Sequence, residues 1–239
     1  MKKRTLGALF YPNVPFETLY IPYIYNEIYL DGVYNDVLNQ QHDMTILDVG
    51  ANIGIVTQFM REHAKKVYAI EPSPEHFEAL KKNKEFNEWD NVELFNIALA
   101  DKDGEMEFSL NIGNRTMNTL IIGEELPSGA HKVKGTNYDI TTPGHPYVQG
   151  LKVKTMAIDT FFKQNKIKHV DFMKFDVEGA EDMILRSDGF KKVYKDITAI
   201  EIEFHFPNWK DLVKYLLNLG YEARQYPCSA TVLLFVLPA

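Results

Sequence analysis

Short apolar runs alternate with amphipathic stretches from about residue 45 onward. The apolar runs are rich in β-branched and aromatic residues, which is typical of buried strands. The predicted strands are Thr45–Val49, Val67–Ile70, Val92–Asn96, Val170–Phe175 and Ile197–Ile202. The stretches between them have the spacing of helices with one apolar face. The predicted helices are Ile55–Glu62, Pro74–Asn87, Ile158–Gln164, Ala180–Ser187 and Trp209–Leu219. This alternation predicts an α/β fold in which helices cover both faces of a mostly parallel sheet.

The C-terminal end of the chain departs from this alternation. Two strand-like runs, Tyr221–Tyr226 and Thr231–Leu237, are separated only by Pro-Cys-Ser-Ala. This connection is too short for a crossover helix, so the two runs are predicted to form an antiparallel hairpin. A dinucleotide-binding sheet is normally completed by further parallel strands, and the hairpin therefore argues against that class.

Two segments have patterns that differ from the rest of the chain. Residues 1–43 are rich in Tyr and Pro and are predicted to form an N-terminal cap on a domain that spans residues 44–239. Residues 111–150 have no clear period and many turn-forming residues. Such a segment is typical of a long binding loop or arm, and we expect it to shape the acceptor region. The flanking runs "EMEFSL" and "LKVKTMA" alternate like strands and predict a two-stranded arm.

The first predicted strand runs directly into a glycine-containing loop, "DVGANIG". Gly50 and Gly54 are separated by Ala51, Asn52 and Ile53. The loop therefore lacks the middle glycine of the dinucleotide fingerprint and the Gly-Lys-Ser/Thr of a phosphate-binding loop. Its small residues still allow the backbone amides to approach a ligand. Asp48, at the end of the strand, offers a carboxylate that suits an ammonium group.

The second and third predicted strands end in residues that suit an adenosine. Glu71 follows Gly50 by about twenty residues, the spacing at which an acid receives two ribose hydroxyls. The third strand ends in Asn96, Ile97 and Ala98, which are predicted to lie beside an adenine ring. Combined with the first loop, these positions predict a nucleoside-binding edge of the sheet.

The fourth and fifth predicted strands end in acidic and basic side chains. The fourth delivers Lys174, Asp176, Glu178 and Glu181 to the site or its rim, and the fifth delivers Glu201, Glu203 and His205. Transfer of a group to a hydroxyl requires removal of its proton, and His is the side chain best suited to accept that proton near neutral pH. His205 is therefore the predicted general base. Asp176 or Glu178 could serve instead if burial or a neighbouring acid raises the pKa of its carboxyl group.

The same side chains permit a second hypothesis, a divalent cation that acidifies the acceptor hydroxyl. Asp176, Glu203 and His205 would supply oxygen and nitrogen ligands for such an ion.

Four motifs together resemble one known family. The stretches "DVGANIG", "VYAIEPSPEHFEALKKN", "NIALADKDGE" and "VDFMKFDVEGAEDMIL" strongly resemble the FkbM-type family of class I S-adenosylmethionine-dependent methyltransferases, over about Asn26 to Ile202. The resemblance implies a Rossmann-like fold, a seven-stranded mostly parallel sheet with a C-terminal antiparallel hairpin, and S-adenosylmethionine as methyl donor. It also implies O-methylation of small molecules, sugars or glycolipid-type acceptors. It does not require a metal ion.

The motifs and the resemblance together define an expected cofactor site. Its members are Asp48, Gly50, Ala51, Asn52, Gly54, Glu71, Pro72, Ile97 and Ala98. Tyr34 is a further candidate, expected to close over the methionine end of the cofactor.

Composition and charge restrict the class of partner. The chain has 239 residues, and its 26 Lys and Arg against 33 Asp and Glu give a net charge of -7. This balance removes the broad attraction expected of a general nucleic-acid binder. The single cysteine, Cys228, permits neither an intramolecular disulfide nor a cysteine-based zinc site. The apolar stretch near the N-terminus ends at Tyr11 and Pro12, too early for a secretory signal, and no run long enough to span a membrane is present. These features predict a cytoplasmic protein.

Three functions remain to be compared. The first is O-methylation of a small-molecule or carbohydrate-like acceptor. The second is methylation of RNA, because the lysines of "HKVKG", "KVK" and "KQNKIKH" lie near the long loop. The third is a non-catalytic binding module that retains the methyltransferase fold. The presence of Asp176, Glu178 and His205 at the strand ends favours an enzyme over a module.

Overall fold

The computed structural model describes residues 38, 43–111, 119–120, 147–205, 209–225 and 232–238. Tyr34, Cys228 and most of the predicted cap lie outside these residues. The described elements, in chain order, are β1 (Met44–Val49), α1 (Ile55–Met60), β2 (Ala64–Ile70), α2 (Pro74–Phe86), β3 (Val92–Phe95), β4 (Ala98–Ala100), β5 (Gly104–Asn111), β6 (Thr119–Leu120), β7 (Tyr147–Ala157), α3 (Ile158–Gln164), β8 (Val170–Phe175), α4 (Glu181–Leu185), α5 (Asp188–Val193), a 3₁₀ turn (Tyr194–Asp196), β9 (Ile197–Glu203), α6 (Trp209–Asn218), β10 (Glu222–Gln225) and β11 (Val232–Val236).

The main sheet has seven strands in the order β10-β11-β9-β8-β1-β2-β3. Strands β3, β2, β1, β8 and β9 pair in parallel, whereas β11 pairs antiparallel with both β9 and β10. The predicted α/β fold, the mostly parallel sheet and the C-terminal hairpin are confirmed. The chain builds outward from β1 in one direction through β2 and β3, and in the other through β8 and β9. The strand order therefore reverses between β1 and β8, and a ligand crevice is expected at the carboxyl ends of these strands.

Helices cover both faces of the main sheet, as predicted. Successive residues of β1 point to opposite faces, so Ile46 packs with Phe59 of α1 and Leu80 of α2. Leu47 belongs to the other core, with Phe161 of α3. Burial on both faces explains why the central strands are continuous apolar runs rather than alternating ones.

A second sheet of four strands, in the order β4-β7-β5-β6, lies beside the first. Strands β5 and β7 pair antiparallel along their lengths, with Phe108 opposite Leu151, which confirms the predicted two-stranded arm. The arm is larger than predicted, because β5 continues to Asn111, β7 begins at Tyr147, and β4 and β6 join it. Strands therefore occupy both ends of the segment 111–150.

The third strand of the main sheet is one residue shorter than predicted and ends at Phe95. The Asn96 side chain donates to the carbonyl oxygens of Glu71 and Pro72, at 2.9 and 3.1 Å. This contact turns the chain away from the main sheet and into β4.

Gly54 is required by packing at the start of α1. Its φ of 92° is in the left-handed region, and a Cβ there would lie 2.6 Å from Leu80 Cδ1 and 2.8 Å from Trp89 Cη2. The absence of a side chain at Gly54 therefore lets the first loop pack closely against α2. None of the described helices is long and apolar enough to cross a bilayer.

Candidate active site

A buried lysine occupies the point where the strand order reverses. Lys174 of β8 lies opposite Asp48 of β1 in the sheet register, and it is 6% exposed. Its Nζ donates to the Gly50 carbonyl oxygen and to Asp176 Oδ2, both at 3.1 Å, and lies 3.9 Å from Asp48 Oδ1. Burial alone would lower the pKa of Lys174, but the carboxylates of Asp176 and Asp48 outweigh it and raise that pKa above its usual value. Lys174 is therefore a permanent ammonium.

This pairing gives Asp48 a cationic partner within the chain, whereas the sequence predicted only that its carboxylate would suit an ammonium group of a ligand. The Asp48 side chain has no exposed surface, and its Oδ2 accepts a hydrogen bond from the Thr57 hydroxyl. Burial raises the pKa of the Asp48 carboxyl, against the opposing effects of Lys174 and Thr57. The sequence could not reveal this partner, because Lys174 lies on a strand far along the chain. Asp48 therefore acts on the crevice through Lys174.

Gly50 allows the loops that follow β1 and β8 to touch. Its φ is 82°, and a Cβ at this position would lie 1.8 Å from the carbonyl oxygen of Asp176. Any larger residue would push the two loops apart.

The backbone amides of the first loop are all used within the chain. Those of Gly50 and Ala51 donate to the Ile70 carbonyl, and that of Gly54 donates to Ala51. The amide of Asn52 donates to Glu71 Oε2, and the amide of Ile53 donates to the Asn52 side chain. These hydrogen bonds hold the loop in one conformation within the chain. The predicted contact between its backbone and a ligand stays a prediction.

Glu71 joins the first two loops. Its Oε2 accepts from the amide of Asn52 and its Oε1 from the amide of Ser73, both at 2.8 Å. Each carboxylate oxygen has two acceptor sites, so both oxygens retain one for a ligand hydroxyl. Burial raises the pKa of Glu71 to about 7, although the two amide hydrogen bonds oppose the shift.

The other predicted cofactor residues differ in their burial and in the elements that hold them. Pro72 is half-buried beside Glu71. Ala51 and Ile97 are buried, and Ala98 is buried in β4 rather than in a loop. The structure thus brings the β1 loop and Glu71 together, whereas Ile97 and Ala98 pack into the core between the two sheets.

Four carboxylates surround His205 at the ends of β8 and β9. The His205 Nδ1 lies 3.2 Å from Glu181 Oε1 and 3.9 Å from Asp176 Oδ1. The Nε2 lies 3.5 Å from Glu203 Oε1 and 3.6 Å from Glu178 Oε2. We call these five side chains the acidic cluster.

The acidic cluster bears on the predicted role of His205 as a general base, because it favours the protonated form of the imidazole. Burial alone would lower the pKa of His205. Hydrogen bonds with Glu181 and Glu203 raise it, and so do the negative charges of Glu178 and Asp176. These effects outweigh burial, and the pKa of His205 rises to about 11. An imidazolium has no free lone pair with which to accept a proton. Burial, followed by the charge of Asp176, raises the pKa of Glu178 to about 8.

Glu181 was predicted at the site or its rim, and the structure gives its partner there, His205. It lies in the first turn of α4, is fully buried, and accepts from the Gly179 amide at 3.1 Å. The acidic run "DVEGAE" carried the prediction, and the fold shows that its last residue turns back toward His205.

The contacts of Lys174 predict that replacing it with an uncharged residue strongly destabilises the folded protein. Lys174→Met should lower the free energy of unfolding by roughly 3 to 5 kcal/mol, because it leaves Asp48 as a buried carboxylate without a cation. Urea denaturation at neutral pH measures the change. The matched control is Lys192→Met, which removes a solvent-exposed ion pair with Asp159 and should leave stability nearly unchanged. Equal losses in the two variants would contradict the assignment of Lys174 as a structural cation.

Comparison with known proteins places the chain in a family. Residues 48–223 match the Methyltransferase FkbM domain. The chain is 26% identical over 174 residues to Methyltransferase 1 of Beauveria bassiana (strain ARSEF 2860), covering 72% of this chain and 69% of that protein. It is also 26% identical over 176 residues to Methyltransferase sdnD of Sordaria araneosa, covering 69% of this chain and 67% of that protein.

Among solved structures, the methyltransferase FkbM from Methylobacillus flagellatus KT superposes with a TM-score of 0.48 and 15% identity, covering 81% of this chain and 43% of that one. The present chain thus spans less than half of that protein. The domain match extends from Asp48 in β1 to residue 223 in β10 and covers most of the chain. The chain therefore belongs to the FkbM methyltransferase family.

Proposed function

We propose that this chain is an S-adenosylmethionine-dependent methyltransferase that methylates an oxygen of a small-molecule or carbohydrate-like acceptor. The proposal depends mainly on one observation, that two groups of polar residues with different chemical properties lie at the same edge of the sheet. The Gly50 loop and Glu71 supply acceptors suited to a nucleoside, and the acidic cluster lies on the other side of Lys174. Family membership supports methyl transfer as the reaction.

The residues on the β1 and β2 side fit the cofactor. Glu71 has acceptor sites left for two ribose hydroxyls, since each oxygen accepts only one amide. Asp48 Oδ1 is a buried oxygen that accepts no hydrogen bond among the described residues. The surrounding carboxylates and carbonyl oxygens favour a cationic ligand. When bound, S-adenosylmethionine would supply a methyl group on a positively charged sulfur. Tyr34, outside the described residues, stays our candidate to cover its methionine end.

We assign the acceptor side to the ends of β8 and β9. Asp176 Oδ1 is buried and accepts no hydrogen bond among the described residues, so it can receive one from an acceptor hydroxyl. Glu178 lies on the same side, 3.6 Å from His205. These carboxylates would orient the hydroxyl and receive its proton as the oxygen is methylated. Lys174 holds Asp176 in position by donating to its Oδ2.

The charge distribution favours a small acceptor over RNA. Lys152 and Lys154 of β7 lie opposite Glu107 and Glu105 of β5, so acids balance that lysine pair. The "HKVKG" lysines lie outside the described residues. The net charge of -7 also opposes a polyanion. The clustering of charged residues at the sheet edge supports an enzyme over a non-catalytic module.

Calorimetric titration with S-adenosylhomocysteine tests the proposed cofactor. We expect binding with one site per chain and a dissociation constant in the micromolar range. His205→Ala should retain this binding, because the acidic cluster lies on the acceptor side. Folded wild-type protein that shows no binding would contradict the proposed function.

The raised pKa of Glu71 predicts a pH dependence of cofactor affinity. An ionised carboxylate accepts ribose hydroxyls more strongly than a protonated one, so affinity should rise with pH through the Glu71 pKa of about 7. We expect the dissociation constant for S-adenosylhomocysteine to fall up to about tenfold between about pH 6 and about pH 8.

Glu71→Gln is the control, since it keeps the shape of the side chain and should abolish the slope. The groups that face Glu71 are Lys174, Asp48 and His76. His76 should stay neutral in this range, because burial lowers its pKa to about 4. A slope that survives in Glu71→Gln would assign the titration to another group.

A further inference from the structure

We propose that Asp176, Glu178 and His205 form a binding site for one divalent metal ion, with Glu203 at its edge. Each of the three residues offers a ligand atom, and these atoms all lie within 4.8 Å of one another. Ligands that share one ion at about 2.0 to 2.4 Å are separated by at most about 4.8 Å. Small shifts of side chains would therefore complete the coordination without a change of fold.

The orientation of His205 supports this site independently of the number of acids. Its Nδ1 faces the fully buried Glu181 at 3.2 Å, and Glu181 is itself fixed by the amide of Gly179. A carboxylate that accepts a hydrogen bond from one ring nitrogen and leaves the other for the ion is the usual support of a metal-binding histidine. The remaining nitrogen, Nε2, lies 3.5 Å from Glu203 Oε1 and 3.6 Å from Glu178 Oε2.

The charge of the cluster calls for a further cation. Four carboxyl groups lie against one imidazole and the Lys174 ammonium, so acidic groups outnumber basic ones at this position. Among the described residues, Asp176 Oδ1 and Glu181 Oε2 are buried oxygens that accept no hydrogen bond. A divalent ion would supply the missing positive charge and take the place of the proton on Nε2.

The donor set indicates the type of ion. Magnesium and calcium prefer oxygen ligands alone, whereas two carboxylates and one imidazole suit a first-row transition metal such as Mn²⁺. What the ion would do rests on the proposed function: beside the acceptor, it would supply Lewis acidity to the hydroxyl. Its binding does not depend on that function.

Titration of the chelator-treated full chain with Mn²⁺, followed by electron paramagnetic resonance, tests the site without any methyl transfer. We expect one Mn²⁺ per chain. Because even residues that only support metal ligands contribute about tenfold or more to affinity, His205→Ala and Glu178→Gln should each weaken binding at least about tenfold. Glu178→Gln keeps the size of the side chain, and circular dichroism verifies that both variants are folded.

The control is His169→Ala at the opposite end of β8. His169 also lies beside a carboxylate, with its Nε2 3.4 Å from Asp171 Oδ1, but this pair is largely exposed. This variant should bind Mn²⁺ like the wild type. Wild-type protein that binds no Mn²⁺, or variants at residues 178 and 205 that bind as tightly as His169→Ala, would overturn the inference.

Titration of the same samples with S-adenosylhomocysteine separates this inference from the proposed function. Protein that binds S-adenosylhomocysteine but does not bind Mn²⁺ would overturn the metal site and leave the proposed function standing. Protein that binds Mn²⁺ but does not bind S-adenosylhomocysteine would support the metal site and contradict the proposed function.

Discussion

The ammonium of Lys174 connects the two halves of the main sheet at the point where its strand order reverses. It contacts the Gly50 carbonyl and Asp48 on one side and Asp176 on the other. A buried charge would cost several kcal/mol without such partners, so each carboxylate depends on the lysine and the lysine depends on both. The close approach also requires Gly50, because the carbonyl of Asp176 occupies the space of a Cβ. The geometry of the whole crevice follows from this contact.

Glu71 extends the same network to the second strand. Because it accepts the amide of Asn52, the loop after β1 is fixed before any ligand arrives. A fixed site loses less conformational freedom on binding than a flexible one. The amides of this loop already donate within the chain, and carboxylates lie beside them. This environment disfavours phosphate and favours cations, which agrees with the absence of a phosphate-binding sequence. A sulfonium on one side of Lys174 and a metal ion on the other would both suit it.

Periodicity predicted the fold well because the central strands are buried on both faces. Val170–Phe175 has the predicted bounds, and the terminal hairpin follows from a connection too short for a helix. β4 was missed because it has only three residues and pairs with β7, more than fifty positions away. No local pattern contains such a pairing.

The sequence predicted which residues lie at the candidate site but not how these residues interact with one another. The strand ends in the sequence predicted that Lys174, Asp176 and His205 lie at one edge of the sheet, and the structure places them there. The protonation of His205 depends on Glu181, 24 positions earlier, and the partner of Asp48 depends on the pairing of β1 with β8. Both are tertiary contacts, so sequence spacing could predict neither the charge state of His205 nor the lysine partner of Asp48.

A crystal structure of the chain with bound S-adenosylhomocysteine tests the central claim most directly. The account predicts ribose hydroxyls within about 3 Å of the Glu71 carboxylate and the sulfur on the side of the crevice that faces Asp176. A nucleoside bound away from Glu71, or a sulfur facing away from Asp176, would contradict it.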